Sequence, residues 1–231
     1  GTLTLSNASA NGTSNVSISA GAGTNGSSTL TGYSMVINNG ATVTETVANQ
    51  IAQSASVLIN GGGTLTMFGT NTLASLTFSG NGGTATPTVA TATLLNLSAA
   101  NAITVTNDNL ASTPTISGTG VTLTNAAPVI TVNGLSPEGL IISAPLTTTG
   151  GGTIKKRGTG SLVLSGATAN VLTGGLNIEQ GTVIFDNTAA TTPYGAGVIT
   201  IGTGTTILTG TAARSIGNAT SVSGDFTFGG T

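Results

Sequence analysis

The chain of 231 residues has no cysteine, no histidine and no tryptophan, and only ten of its side chains are charged. The missing cysteines argue against a disulfide framework, although a long repetitive core is large enough to fold without one. The scarcity of charge is not typical of an ordinary cytoplasmic enzyme. These absences leave the cellular compartment open and direct attention to the uncharged residues.

The sequence also lacks a basic surface and a long apolar run. Its net charge is −2, and cations and aromatic side chains do not alternate anywhere, so nucleic acid is an unfavourable partner. Thr, Ser, Asn or Gly interrupts every apolar run well before the roughly 20 residues that a membrane-spanning helix needs. We therefore expect no membrane-spanning segment.

Threonine and glycine dominate what is present, with 47 and 36 residues respectively. Threonine and valine favour the pleated surface of a β-sheet, and the residues that fill exposed helix faces are nearly missing. The composition predicts an all-β protein.

Glycine followed by a short β-prone stretch recurs about every twenty residues in the second half of the chain. The glycines are Gly120, Gly139, Gly160, Gly181, Gly204 and Gly224, with spacings of 19, 21, 21, 23 and 20 residues. The pattern continues more faintly towards the N-terminus through Asn101, Gly83, Gly63, Gly40, Gly21 and Gly1. A fixed period of this size is typical of a solenoid.

The period favours the coils of a parallel β-helix over propeller blades or a sandwich, because each unit holds at least two short strands and no regular hairpin turns. We predict one β-solenoid domain over 1–231, degenerate in 1–140 and clearest in 150–231. Eleven intervals at about 4.8 Å would give a rod on the order of 50 Å long. Alternation along the strands predicts that Leu162 and Leu164, like Ile199 and Ile201, face a common core, with Phe185, Phe226 and Phe228 also in the core.

The remaining Thr, Ser and Asn side chains are expected to stack outward in hydrogen-bonded ladders. The corners are expected at glycine-rich turns, namely 60–63, 133–134 and 149–152. Loops are expected at 25–31, 136–138 and 187–193.

Residues 156–166 and 172–185 carry a more specific motif. A basic residue precedes a Gly-x-Gly turn, a Leu-x-Leu strand ends in Ser-Gly, and Thr-Gly-Gly leads into a second and a Gly-Thr third strand. Together with 214–230, this segment resembles the autotransporter-associated β-strand repeat. The resemblance covers roughly 150–231 and implies a right-handed parallel β-helix in a secreted bacterial passenger region. It also implies a location at the cell surface or outside the cell.

Two groups of charged residues are candidates for chemistry. The six acids are Glu45, Asp108, Glu138, Glu179, Asp186 and Asp225, and the 41 residues between Glu138 and Glu179 predict two carboxylates two coils apart. Lys155, Lys156 and Arg157 form the one run of charge, for which we weigh a contact with an anionic glycan against a solvated turn. We assign no catalytic residue, no cofactor and no metal site, and we predict that the chain is not an enzyme.

We expect a structural or adhesive surface rod, whose partners are further copies of itself, surface glycans or other cells. Thr2, Leu3 and Leu5 at one end and Phe226 and Phe228 at the other are the candidate stacking strands for an end-to-end filament. The alternative is a glycan-binding or glycan-processing β-helix module, which rests on analogy between folds.

Overall fold

The protein is a parallel β-solenoid. The computed structural model describes residues 2–5, 35–80, 85–189 and 193–230, and for 2–5 it describes the backbone alone. Within these ranges there are 23 strands and no helix, and every strand pairing is parallel. The predicted all-β solenoid is confirmed.

The strands form three sheets. The first sheet contains β1 (Thr2–Leu5), β3 (Thr42–Glu45), β5 (Thr64–Met67), β8 (Thr88–Thr91), β11 (Thr115–Gly118), β14 (Leu140–Ile142), β17 (Ser161–Leu164), β19 (Thr182–Phe185), β21 (Thr206–Thr209) and β23 (Thr227–Gly230). The second sheet contains β2 (Met35–Ile37), β4 (Ser56–Asn60), β7 (Ser75–Ser79), β10 (Asn101–Asn107), β13 (Val129–Gly134), β16 (Ile154–Arg157), β18 (Leu176–Ile178), β20 (Ile199–Ile201) and β22 (Thr220–Val222). The third sheet contains β6 (Thr70–Leu73), β9 (Leu94–Leu97), β12 (Val121–Leu123) and β15 (Leu146–Thr148).

Each coil contributes one strand to the first sheet and one to the second, and the coils between β6 and β15 add a third strand. From β3 to β23 the chain makes about eight turns of about 24 residues. Paired residues in the first sheet are 21 to 27 positions apart. The predicted coil of roughly 20 residues is therefore too short, and the eleven predicted intervals are too many. Eight steps of about 4.8 Å give a stack about 40 Å long.

The glycine periodicity miscounts where the third strand is present. Gly139, Gly160 and Gly181 immediately precede first-sheet strands, as the period requires, but Gly120 precedes β12 of the third sheet. A third strand adds a glycine-marked stretch to the coil, so the pattern counts one turn as more than one. Of the earlier positions, Gly1, Gly21 and Gly83 lie outside the described residues.

A single apolar core runs through the stack of coils, from Met35 to Ile207. Inward side chains alternate with outward ones, as the pattern iBiB of β3, β5 and β8 shows. Leu162 and Leu164 lie in this core with Ile199 and Ile201, which confirms both predicted pairs. Removal of these aliphatic side chains from water is the main favourable contribution to folding.

The outer face of the first sheet changes character along the stack. Its central column begins with Thr42, Thr64, Thr88 and Thr115 and continues with Ile141, Val163, Ile184 and Leu208. Hydroxyl and amide ladders are present elsewhere, as between Ser56 and Ser75 or Asn38 and Asn60. The prediction of a uniformly hydroxyl-rich exterior is wrong for these four positions, where branched side chains stack closely enough that Val163 and Ile184 are buried.

The corners are built in part by glycines with positive φ. Gly61, Gly150 and Gly151 adopt φ values of 48°, 61° and 73°, so the turns predicted at 60–63 and 149–152 are confirmed. Asn133 and Gly134 instead belong to β13, and the turn predicted there is wrong. Residues 136–138 lie between strands as predicted. The loop predicted at 25–31 lies outside the described residues, as do residues 190–192 of the loop at 187–193.

Candidate functional site

The basic run Lys155–Arg157 lies on β16 and not on a turn, so its three side chains have different environments. Ile154 faces the core, and alternation along the strand directs Lys156 inward and Lys155 and Arg157 outward. Lys156 is fully buried, with 0% of its surface exposed. It is therefore unavailable for the glycan contact considered from the sequence, and neither it nor the run as a whole is a solvated turn.

Lys156 occupies a column of inward side chains that is otherwise aliphatic. The column contains Met35, Val57, Leu76, Ile103, Ile130, Lys156, Ile178, Ile201 and Val222. An unpaired ammonium in such surroundings would be strongly unfavourable. The structure meets this difficulty with backbone oxygens.

Three carbonyl oxygens surround the Lys156 ammonium. Its Nζ atom donates hydrogen bonds to the carbonyls of Arg157 at 3.0 Å, Gly158 at 2.8 Å and Gln180 at 2.9 Å. These three carbonyls are referred to below as the carbonyl cage. Burial lowers the pKa of Lys156 from 10.5 to about 8, while the cage favours the charged form. All three donors of the ammonium are thus used.

Arg157 forms an ion pair on the surface of the same corner. Its Nε atom lies 2.6 Å from Oε2 of Glu179, and the two side chains are 46% and 28% exposed. Asn177 donates a further hydrogen bond to the other carboxylate oxygen of Glu179. Glu138 and Glu179 both lie where the chain passes from the second sheet to the first, two coils apart as the sequence predicted. The Glu179 carboxylate is already engaged by Arg157.

A second charged cluster lies near the other end of the stack. Arg214 pairs with Asp186 at 2.7 Å, and these side chains are only 14% and 23% exposed. The adjacent Asn187 donates its backbone N–H to the hydroxyl oxygen of Tyr194, whose ring packs edge-on against Phe185 at 4.6 Å. Burial raises the pKa of Tyr194 to about 12. The cluster joins the loop after β19 to the segment after β21.

A buried carboxylate holds the turn that follows β3. Glu45 accepts hydrogen bonds from the backbone N–H groups of Gln50 and Phe68 at 3.1 and 3.4 Å. Burial raises the pKa of Glu45, and these hydrogen bonds oppose the change. Asn71 completes the cluster by accepting from Asn49 N–H at 2.7 Å. Asn49 is held at a positive φ of 58°. The sequence analysis assigned no part to these amides.

Buried or partly buried asparagines act similarly at other corners. Asn170 accepts from Leu146 N–H at 2.8 Å and donates to the Pro193 carbonyl at 3.0 Å, which links two coils. Asn218 donates to the carbonyls of Gly195 and Gly197. Among the described residues, no group of three or more acidic side chains could hold a metal ion.

The last coil exposes part of the core. Phe228 on β23 pairs in register with the buried Ile207, so its backbone position is an inward one, yet 67% of its surface is exposed. Phe226 and Val222 are also exposed. The prediction that Phe226 and Phe228 are core residues is wrong for this coil, because no described strand covers β22 and β23 on their outer side. The side chains of Thr2, Leu3 and Leu5 lie outside the described part.

Fold and corner chemistry together define a parallel β-solenoid with a neutral exterior and internal polar braces. Comparison with family models, with curated proteins and with solved structures finds no significant match. In the ranges that the structure describes, no helix is long and apolar enough to cross a membrane.

Proposed function

We propose that the chain is a secreted structural or adhesive rod of a bacterial cell surface or extracellular matrix, whose work is mechanical rather than catalytic. The observation that carries the proposal is the continuous core from Met35 to Ile207. A core shared by successive coils, joined by hydrogen-bonded parallel strands, resists bending because no flexible linker separates one coil from the next. Such a stack supplies length and stiffness.

The exterior supports a surface role. Ten charged residues in 231 leave long neutral faces, and two of the four cations are engaged in ion pairs while Lys156 is buried. Neutral columns avoid the repulsion that stacked like charges would produce. The resemblance of 150–231 to the autotransporter-associated repeat supports secretion and a bacterial source.

The proposal includes head-to-tail assembly. β1 and β23 are the two edge strands of the first sheet, and β2 and β22 are those of the second. A second copy stacked on β22 and β23 in the same direction would continue both sheets and cover Phe228. A head-to-tail contact between unlike ends does not close on itself, so it generates a filament.

Electron microscopy and sedimentation velocity of the 231-residue chain at rising concentration test this proposal. We expect rods at low concentration and filaments at high concentration. Phe228→Lys should prevent filaments, because an inward-pointing charge blocks edge pairing. The matched control is Leu135→Lys, since Leu135 is 66% exposed but lies on the side of the stack.

Two outcomes would count against the proposal. Compact particles in solution scattering, without the elongation of a stack about 40 Å long, would refute the rod. Single rods at every concentration would refute the assembly and leave the rod intact. Surface labelling of intact source cells tests the location separately, and labelling only after lysis would contradict it.

A further inference from the structure

The column that contains Lys156 shows one unusual choice. Eight of its nine positions are aliphatic, and seven of these eight are buried. An aliphatic side chain at 156 would satisfy the same packing without dehydrating a charge. The lysine therefore contributes something that apolar burial does not.

The carbonyl cage joins two successive coils. The carbonyls of Arg157 and Gly158 belong to the corner after β16, whereas that of Gln180 belongs to the corner after β18. A second hydrogen bond, from Gly158 N–H to Oε1 of Gln180 at 3.0 Å, parallels this contact. The ammonium thus bonds to both coils at one point.

Apolar packing alone does not determine the alignment of these two strands. Leu176 and Ile178 both face inward on β18, and they pair with Ile154 and Lys156. A shift by two residues keeps inward positions inward, because the side-chain period of a strand is two. The shift would move β16 along β18 by about 7 Å. It would separate the ammonium from the Gln180 carbonyl.

We propose that Lys156 is the residue that fixes the register of the β16 coil on the β18 coil. The buried cation accepts only the alignment in which carbonyls of both coils converge on it. A single buried polar group has this effect in coiled coils, where it selects one alignment at the expense of stability. The inference does not depend on the proposed function.

Cysteine pairs can report the register, because the native chain has no cysteine. Lys155 pairs with Asn177. Neighbouring strands are about 4.8 Å apart, so Lys155→Cys with Asn177→Cys can form a disulfide in the native register. Thr153→Cys with Asn177→Cys would be separated by about 8 Å in that register, beyond the reach of a disulfide, and would come together only after a two-residue shift.

Each pair is combined with native Lys156, with Lys156→Met, and with Ile178→Met as the matched control in the same column. The proteins are unfolded, refolded under reducing conditions and then oxidised, and the cross-linked fraction is measured by mass spectrometry. With Lys156 or Ile178→Met we expect the native-register disulfide alone. With Lys156→Met we expect the shifted disulfide to increase at least tenfold and the native-register one to decrease.

A Lys156→Met protein that forms the native-register disulfide as completely as the parent, with no shifted product, would overturn the proposal. Failure of Lys156→Met to regain β-sheet circular dichroism would also overturn it, because the ammonium would then be required for folding itself and not for alignment. An equal increase of the shifted product in Ile178→Met would assign register to side-chain shape instead of charge.

Discussion

The buried Lys156 and Tyr194 predict an unusual dependence of stability on pH. Burial lowers the pKa of Lys156 to about 8, against 10.5 in the unfolded chain. Between these values the unfolded chain binds a proton that the folded protein does not, so the free energy of unfolding rises with pH. Below pH 8 both states are protonated and this contribution is constant.

Tyr194 acts in the opposite direction at higher pH. Burial raises its pKa to about 12, against 10 in the unfolded chain. Above pH 10 the unfolded chain loses a proton that the folded protein retains, so the free energy of unfolding falls. The two effects together place a maximum of stability near pH 10.

The rise is measurable. Two pH units between 8 and 10, at about 1.4 kcal/mol for each unit, amount to at most about 3 kcal/mol. The carbonyl cage stabilises the ammonium and reduces this value. Urea denaturation followed by circular dichroism at pH 7, 8, 9, 10 and 11 gives the profile. Urea is uncharged and leaves the electrostatic interactions unscreened.

Two variants separate the contributions. Lys156→Met should remove the rise between pH 8 and 10, and it keeps the neighbouring charges Lys155, Arg157 and Glu179. Tyr194→Phe should remove the fall above pH 10, and it deprives Asn187 N–H of its acceptor. A parent protein whose stability falls from pH 8 to 10, or an unchanged slope in Lys156→Met, would refute the reasoning.

Two further predictions concern charge in the core and at the surface. Ile178→Lys should lower the free energy of unfolding by about 3 to 5 kcal/mol, because no described carbonyl cage awaits a cation at that position; urea denaturation at pH 7 measures this, and a neutral effect would contradict it. Asp186→Asn should be more destabilising than Glu179→Gln, which should cost about 1 kcal/mol or less, because Arg214 is far less exposed than Arg157. Equal midpoints in thermal unfolding of these two variants would show that exposure does not set the difference.

The fold class was predictable from local patterns. Alternation of apolar and polar residues identifies strands such as β17 and β20, and their inward pairs Leu162 and Leu164, and Ile199 and Ile201, are in the core as expected. The same alternation from Ile154 would have directed Lys156 inward. It was overlooked because three adjacent cations are typical of a solvated surface.

The length of a coil was less predictable. Gly120 and Gly139 are 19 residues apart in the sequence but precede strands of different sheets. A glycine followed by β-prone residues marks the start of a strand, and it contains no information about which sheet the strand joins. That depends on the neighbouring coils against which the strand pairs.

Alternation along each strand and glycine at several corners are properties of neighbouring residues, and they were enough to establish a parallel β-solenoid. The carbonyl cage, the buried Glu45 and the exposure of Phe228 depend on residues about twenty or more positions apart, or on whether another coil lies above. Such contacts form only when coils stack. Stacking alone therefore decided that Lys156 is buried and Phe228 exposed, the reverse of what residue type suggests.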